Sequence, residues 1–401
     1  MIVAELELHD FRNYADARIE LGPGPRLFLG PNGQGKTNLV ESIVYLSTLS
    51  SHRVSSDQAL IRRGAEAAIV RARLEHAGRS VLVELQLNRQ GANRAQLNRG
   101  ALKPRELPRH VAAVLFAPED LALVRGEPSG RRRYLDELAV QLSPRLAGVQ
   151  SDYDRVLRQR NTLLKSARGL RGARATEADG DERQLSTLDL WDERLVALGS
   201  ELVAARLDLV ERLRPGIARD YAAVAGAEHE ATLGLRLSIL GATGEGDDDS
   251  GDSADTAGAP SAEGLDRAAI EEAFRAALAA RRREERDRGI TLVGPHRDDL
   301  VLVLNGLPAR GYASHGESWS FALALKLAAA GLLRAESPIG DPVVILDDVF
   351  AELDQSRRGR LATAIADYEQ VLITAAVEAD VPPELAGDAV RIRAGRIEER
   401  P

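Results

Sequence analysis

Gly30-Pro31-Asn32-Gly33-Gln34-Gly35-Lys36-Thr37 carries the clearest chemistry in the chain. The spacing satisfies G-x-x-x-x-G-K-[ST], and the flanks agree with it: a β-like run, Arg26 to Leu29, precedes the loop and a helical pattern, Asn38 to Leu49, follows. Glycines let successive N–H groups turn toward phosphate oxygens, and a helix starting near Lys36 adds the positive end of its dipole. Lys36 is placed to reach the β and γ phosphates, and Thr37 to offer a hydroxyl to Mg²⁺. A glycine-rich turn that fits by chance is the competing reading, and the strand and helix flanks weigh against it.

A metal partner is expected downstream. Val343-Val344-Ile345-Leu346 reads as a buried parallel strand and ends in Asp347-Asp348. Asp347 would hold Mg²⁺ directly or through water, and Asp348 would face the water that attacks a γ-phosphate. About 310 positions separate the two motifs, a span that suits an ATPase head interrupted by a long insertion. Ser314-His315-Gly316-Glu317 opens a helix running from about Trp319 to Arg334. A Ser hydroxyl and a Gly amide there form an anion site, while Ser with Glu three residues on is also an ordinary capping box.

The elements that must position these groups follow from patterning. Alternation in Val3 to Leu8, Ile69 to Leu74 and Val81 to Leu87 predicts an antiparallel β-layer up to about Asn98. Ser143 to Leu164, Leu185 to Leu213 and Leu265 to Arg286 carry apolar residues at helical spacing with interleaved charge. Strand signals return in Thr291 to Val293, Leu300 to Leu304, Val343 to Leu346 and Val371 to Thr374. We therefore expect an α/β head split in sequence, residues 1–118 and 289–401, with a helical lobe, residues 119–288, inserted between its halves.

Composition bounds the rest. At 401 residues, 44% hydrophobic and 28% charged, the chain can bury cores for two or three domains of ~150 residues. The absence of cysteine excludes disulfides, thiolate zinc sites and thiol nucleophiles, and suits a reducing cytoplasm. The N-terminus lacks a signal-peptide pattern, and the most apolar helix is too short to cross a bilayer, so a cytoplasmic protein without membrane contact is expected. The net charge of −8 seems to disfavour a polyanionic partner, but residues 244–264 alone hold seven acids and no base. That stretch reads as a mobile loop inserted in a folded domain.

With these motifs in order, the sequence resembles the ABC-type P-loop ATPase heads of chromosome-maintenance and repair proteins, and among them most closely the RecF family. The resemblance spans essentially the whole chain. It rests on Asp10-Phe11-Arg12-Asn13-Tyr14, the loop Gly30 to Asn38, Phe116-Ala117-Pro118-Glu119-Asp120-Leu121, and Gln159-Arg160-Asn161. Thr291-Leu292-Val293-Gly294-Pro295-His296-Arg297-Asp298-Asp299, Ser314 to Glu317, and Leu346 to Asp354 complete it. It implies ATP and Mg²⁺ as cofactors. It also implies that Ser314, Gly316 and Glu317 contact the nucleotide of an opposite protomer, with Asp354 at the seam. DNA, as duplex, gapped or single-strand/double-strand junction, and mediators of the RecO and RecR type are the implied partners, the outcome being RecA loading. A switch histidine is missing, since Ile373-Thr374-Ala375-Ala376 stands in its place. Asp348 replaces a commoner glutamate and sits one methylene, about 1.5 Å, further back, so a weak ATPase serving as a switch is expected. The lack of long heptad stretches weighs against an SMC-type chromosome-maintenance ATPase, and the long charged insertion against a transporter ATP-binding subunit.

Arg131, Arg132 and Arg133, and Arg281, Arg282 and Arg283, are the candidate DNA contacts, with solvated helix faces or a helix-end cap as the equal alternative. With 4% aromatic residues, a base-stacking platform is disfavoured and binding through the DNA backbone is expected.

Overall fold

The structure, a computed structural model, describes residues 1–170, 178–226, 229–241 and 264–398. Of the acidic stretch expected to be a loop, only Gly264 falls within them. The chain opens with β1 (Ile2–Phe11), β2 (Tyr14–Glu20), β3 (Gly24–Leu29) and helix α1 (Lys36–Thr48). There follow β4 (Ala67–His76), β5 (Arg79–Asn88), β6 (Arg94–Leu97), β7 (Gly100–Leu102) and β8 (Ala113–Phe116). Helices α2 (Leu121–Arg125), α3 (Pro128–Leu142), α4 (Leu146–Leu170) and α5 (Ala178–Ala225) come next. Then come β9 (Ala231–Arg236), α6 (Arg267–Arg288), β10 (Asp299–Leu304), β11 (Leu307–Pro308), α7 (Ala309–Tyr312) and α8 (His315–Glu336). The chain closes with β12 (Val343–Asp347), α9 (Gln355–Ile365), β13 (Gln370–Ala375), β14 (Asp388–Arg393) and β15 (Arg396–Glu398).

Two six-stranded sheets enclose α1. One is antiparallel in the order β2-β1-β4-β5-β6-β7, as the alternation in the N-terminal block requires. The other runs β15-β14-β3-β13-β12-β8 and is parallel from β14 to β8. Every residue of β12 is buried, because the sheet is covered on both sides. Val343 and Ile345 join the core shared with α1, while Val344 and Leu346 face the core built with α3, α5 and α8.

The register across the parallel sheet decides the site. Asp347 at the end of β12 pairs with Thr374 of β13, and Thr374 pairs with Phe28 of β3, the strand that feeds the glycine loop. The loop and the carboxylates thus meet at the carboxyl ends of neighbouring strands, with Thr374 between them.

The inserted lobe forms a core of its own from Tyr153 and Val156 of α4, Leu195, Val196 and Val203 of α5, and Ile270, Phe274 and Leu278 of α6. Helix α5 is 48 residues long, about 70 Å at 1.5 Å per residue. Its second half, from Leu209 to Val224, packs in the head core with α8. Strand β9, sequentially in the insertion, pairs antiparallel with β10. The sequence division at residue 289 is therefore not a division in packing. The strand expected at Thr291 to Val293 does not form. The backbone N–H and Oγ1 of Thr291 donate to Asn161 Oδ1 at 2.8 and 2.7 Å, and Gly294 turns the chain at φ 130°, so side chains satisfy this segment instead of a ladder.

Candidate nucleotide site

Strand β3 and helix α1 hold the loop from both ends, and neighbouring turns strap it from outside. Asn13 Nδ2 and the Gly395 N–H donate to the Gln34 carbonyl at 3.0 and 2.9 Å, the Ala394 N–H donates to Gln34 Oε1 at 2.7 Å, and the Tyr14 hydroxyl donates to the Gly35 carbonyl at 3.0 Å. The N–H groups of Asn32, Gly33, Gln34 and Gly35 have no protein acceptor among the described residues, which is the state an anion cradle requires. Gly35 sits at φ 118°, where a Cβ would lie 2.8 Å from the Asn13 side chain. A Cβ on Gly30 would lie 2.3 Å from the Ile392 carbonyl oxygen. Backbone approach at Gly30, and the positive φ with crowding side chains at Gly35, demand glycine at both ends of the loop.

Lys36 is 3% exposed, yet its ammonium finds only distant partners: Asn32 Oδ1 at 3.4 Å, the Pro31 carbonyl at 3.5 Å and Asp348 Oδ2 at 3.7 Å. A buried cation whose one anionic partner, Asp348, stands 3.7 Å away has room for a closer anion. Thr37 Oγ1 donates to Asp347 Oδ1 at 3.0 Å, and Thr374 Oγ1 donates to the same oxygen at 2.6 Å. Thr374 Oγ1 also accepts the Asp348 N–H at 3.0 Å, and Asp348 adopts the left-handed conformation at φ 51°. One hydroxyl thus orients the Asp347 carboxylate and fixes the backbone of Asp348. From the sequence this position is only the end of a strand and part of the segment that lacks a histidine; the register that sets it beside Asp347 is a property of the folded sheet.

Burial pushes the Asp347 carboxyl up to about 6, with the Asp348 charge adding to the rise and the hydrogen bonds from Thr374 and Thr37 opposing it. A proton would have to leave Asp347 before it could bind a cation, so any Mg²⁺-dependent nucleotide affinity is expected to rise as pH passes upward through about 6. Calorimetry between pH 5 and 7.5 should show that rise with proton release, and Asp347→Asn should flatten it. Thr37 and Asp347, joined by a hydrogen bond of 3.0 Å, are the two side chains that could hold a cation beside the loop. No cluster of three acidic or imidazole groups exists among the described residues.

The Ser314 motif lies elsewhere. Ser314 caps α8 in a reciprocal box: its N–H donates to Glu317 Oε2 at 2.8 Å and its Oγ accepts the Glu317 N–H at 3.3 Å. Ser314 and His315 remain exposed. Asp354 caps α9 and forms an ion pair with Arg357, whose guanidinium would lie 2.8 Å from a Cβ on Gly316 and donates to Ser320 Oγ at 3.0 Å. Gly316 and Asp354 are therefore gathered around one arginine, with Glu317 beside them in the cap of α8, and no hydrogen bond or ion pair among the described residues ties them to Lys36 or Thr37. Tyr312 beside this motif is 57% exposed, and Val377, just beyond β13, is 55% exposed.

The candidate DNA arginines divide. Arg131 is buried and forms a bidentate pair with Asp299 at 2.7 and 2.9 Å; it ties α3 to β10 and presents no charge to solvent. Arg132 donates to the Asp298 carbonyl at 2.8 Å. Arg281 pairs with Glu284, and Arg282 with Asp189 and Asp192. Only Arg133 and Arg283 of the two sets are exposed. An open cleft of about 640 Å³ beside the loop, lined by Arg12, Asn13, Asn38, Arg53, Ile61 and Arg63 among others, was not anticipated. Arg12 in it is fixed to the buried Glu41 by bonds of 2.9 and 2.7 Å.

The RecF/RecN/SMC N terminal domain profile matches residues 2–384. Over 402 residues the chain is 63% identical to the DNA replication and repair protein RecF of Clavibacter michiganensis subsp. michiganensis (strain NCPPB 382), covering 100% of this chain and 96% of that protein. The chain belongs to the RecF family. RecF of Leifsonia xyli subsp. xyli (strain CTCB07) is 60% identical over 399 residues, covering 100% of each chain. A solved structure of the recombination mediator protein RecF with ATPγS in the RecFOR pathway covers 100% of this chain and 98% of its own, with TM-score 0.83 at 26% identity. An Smc head bound to the C-winged helix domain of ScpA shares the fold, with TM-score 0.51 at 14% identity over 99% of this chain and 96% of that one. The expected ABC-type head is thus the RecF fold, and a match along the full chain leaves a transporter subunit without support. No helix among the described residues is long and apolar enough to cross a membrane.

Proposed function

We propose that this RecF chain is an ATP-driven DNA clamp in recombinational repair and replication restart. The observation that carries the reading is the separation of the two half-sites: the loop N–H groups have no acceptor among the described residues and Lys36 only long contacts, while exposed Ser314 and Asp354, with half-buried Gly316, form a face that no described residue of their own chain completes. Two copies placed face to face would complete both sites at once, a self-complementary arrangement. The loop would cradle the phosphates, the adjoining arginine-lined cleft would take the base and ribose, and Thr37 and Asp347 would hold Mg²⁺, which neutralises phosphate charge when bound. Asp348, held by Thr374, would orient the attacking water, and its short side chain favours slow turnover.

The ATP-bound pair would engage duplex or gapped DNA, act with mediators of the RecO and RecR type to help load RecA, and let go after hydrolysis. The solved relative, named a recombination mediator of the RecFOR pathway, supports this placement. Affinity for a fluorescent duplex, measured with Mg-ATP, Mg-ADP and no nucleotide, tests it. At least tenfold tighter binding with ATP is expected; equal affinity in all three conditions would make nucleotide a structural filler and sink the proposal.

A further inference from the structure

Charge bookkeeping along the surface singles out one edge of the antiparallel sheet. Between positions 89 and 110 the sequence carries six bases and a single acid, Glu106, in a protein of net charge −8. Five of these bases, Arg94, Arg99, Lys103, Arg105 and Arg109, are exposed, and none has an ion pair or side-chain hydrogen bond among the described residues. The lone acid is occupied: Glu106 Oε2 accepts the Lys103 N–H at 3.4 Å in the cap of the short 3₁₀ helix Pro104–Arg109. The five bases lie close together by topology. Strand β7 is the free edge of the sheet, and Ala95 of β6 pairs with Leu102 of β7, so Arg94 and Lys103 lie across from each other at the hairpin's open end. Arg105 and Arg109 follow on the 3₁₀ helix, which packs against β6 and α1.

Backbone strain at the other end of the hairpin points the same way. Asn98 and Arg99 form its two-residue turn with φ 49° and 69°, the geometry in which glycine is the favoured second residue. The chain places arginine there instead. A β-edge that accepts strain to carry a cation, and lines up further unpaired cations beside it, is built to meet a fixed row of anions. Segment 89–110 contains no Phe, Trp or Tyr, and its single ring, His110, is half-buried, so bases have little to stack on, and the partner chemistry is the phosphate backbone of a duplex.

We propose that Arg94, Arg99, Lys103, Arg105 and Arg109 on the β6–β7 edge are the primary duplex-DNA contact, in place of the six candidate arginines of α3 and α6, four of which are engaged by internal ion pairs or a backbone carbonyl. The assignment rests on the DNA-binding reading above, and because the 3₁₀ helix packs on α1, the contact is coupled mechanically to the helix that begins at Lys36.

The test uses the full chain with Mg-ATP and a duplex of random sequence, across a salt series. Arg94→Gln/Lys103→Gln/Arg105→Gln should lower affinity by tenfold or more and reduce the slope of log K against log salt by about 3, because each phosphate contact contributes about one unit. Mg-ATP affinity should stay at the wild-type value. Arg281→Gln/Arg282→Gln/Arg283→Gln should change DNA affinity less than threefold. Arg99→Gly provides a readout that misfolding cannot imitate: relief of the turn strain should raise Tm while DNA affinity falls. Wild type without nucleotide-dependent DNA binding would overturn the clamp reading itself. Wild type that binds, with edge variants of unchanged affinity and salt slope, would overturn this surface alone.

Discussion

Lys36→Ala is expected to weaken Mg-ATP binding about 10- to 100-fold while leaving the fold as stable as before or more so. The nucleotide loses a charge-assisted contact worth ~1.5–3 kcal/mol, which converts to that range of affinity. The apo protein loses a buried ammonium whose contacts are all 3.4 Å or longer, so little stabilising interaction disappears with it. Opposite signs in binding and stability are what a group held for an absent partner produces. Titration with a fluorescent ATP analogue and a thermal melt of the same samples check both halves. A large fall in Tm would show that Lys36 serves the fold and would weaken the site assignment.

The second large effect is structural. Arg160 is wholly buried in the lobe, where its guanidinium donates to Asp192 Oδ1 at 2.6 Å, Glu285 Oε2 at 2.6 Å and Thr291 Oγ1 at 2.8 Å. Arg160→Met strands Glu285, whose side chain is 0% exposed. Burial already pushes the Glu285 carboxyl up even with Arg160 beside it. Breaking such a group on one side costs about 3–5 kcal/mol, and the lobe's transition should fall by roughly 10 °C. Replacing the buried pair, Arg160→Met with Glu285→Leu, should recover much of that loss because no fully buried charge is left alone and Asp192 keeps Arg282. Differential scanning calorimetry of the three proteins decides it; equal melting of the single and double variants would contradict the account.

The same residues show what could be read from sequence and what could not. The glycine loop was legible because each position answers a local demand: a phosphate cradle, a helix start, a metal hydroxyl. Asp347 was legible because a run of four apolar residues ending in acids has few other homes. Thr374 was not, since its role depends on β13 lying between β3 and β12, a fact of sheet order that no local pattern carries. Arg131 was misjudged for a related reason. Its neighbours in sequence are arginines, but its partner Asp299 is 168 positions away, and only tertiary packing reveals that the charge is spent. The pairing of β9 with β10 hid likewise, because an inserted segment that returns a strand to its host looks helical from its flanks.

Ser314 bears most directly on the clamp. It is exposed, its hydroxyl is engaged only in its own helix cap, and a bulky cation there leaves Lys36, Thr37 and Asp347 untouched. Light scattering in Mg-ATP, with hydrolysis slowed by a non-hydrolysable analogue, is the decisive measurement. The account predicts about twice the monomer mass for the wild type with nucleotide and the monomer mass without it. It predicts a monomer in both conditions for Ser314→Arg, with nucleotide affinity within about twofold of wild type. A wild type that stays monomeric at saturating nucleotide, or a Ser314→Arg variant that pairs as well as wild type, would contradict it.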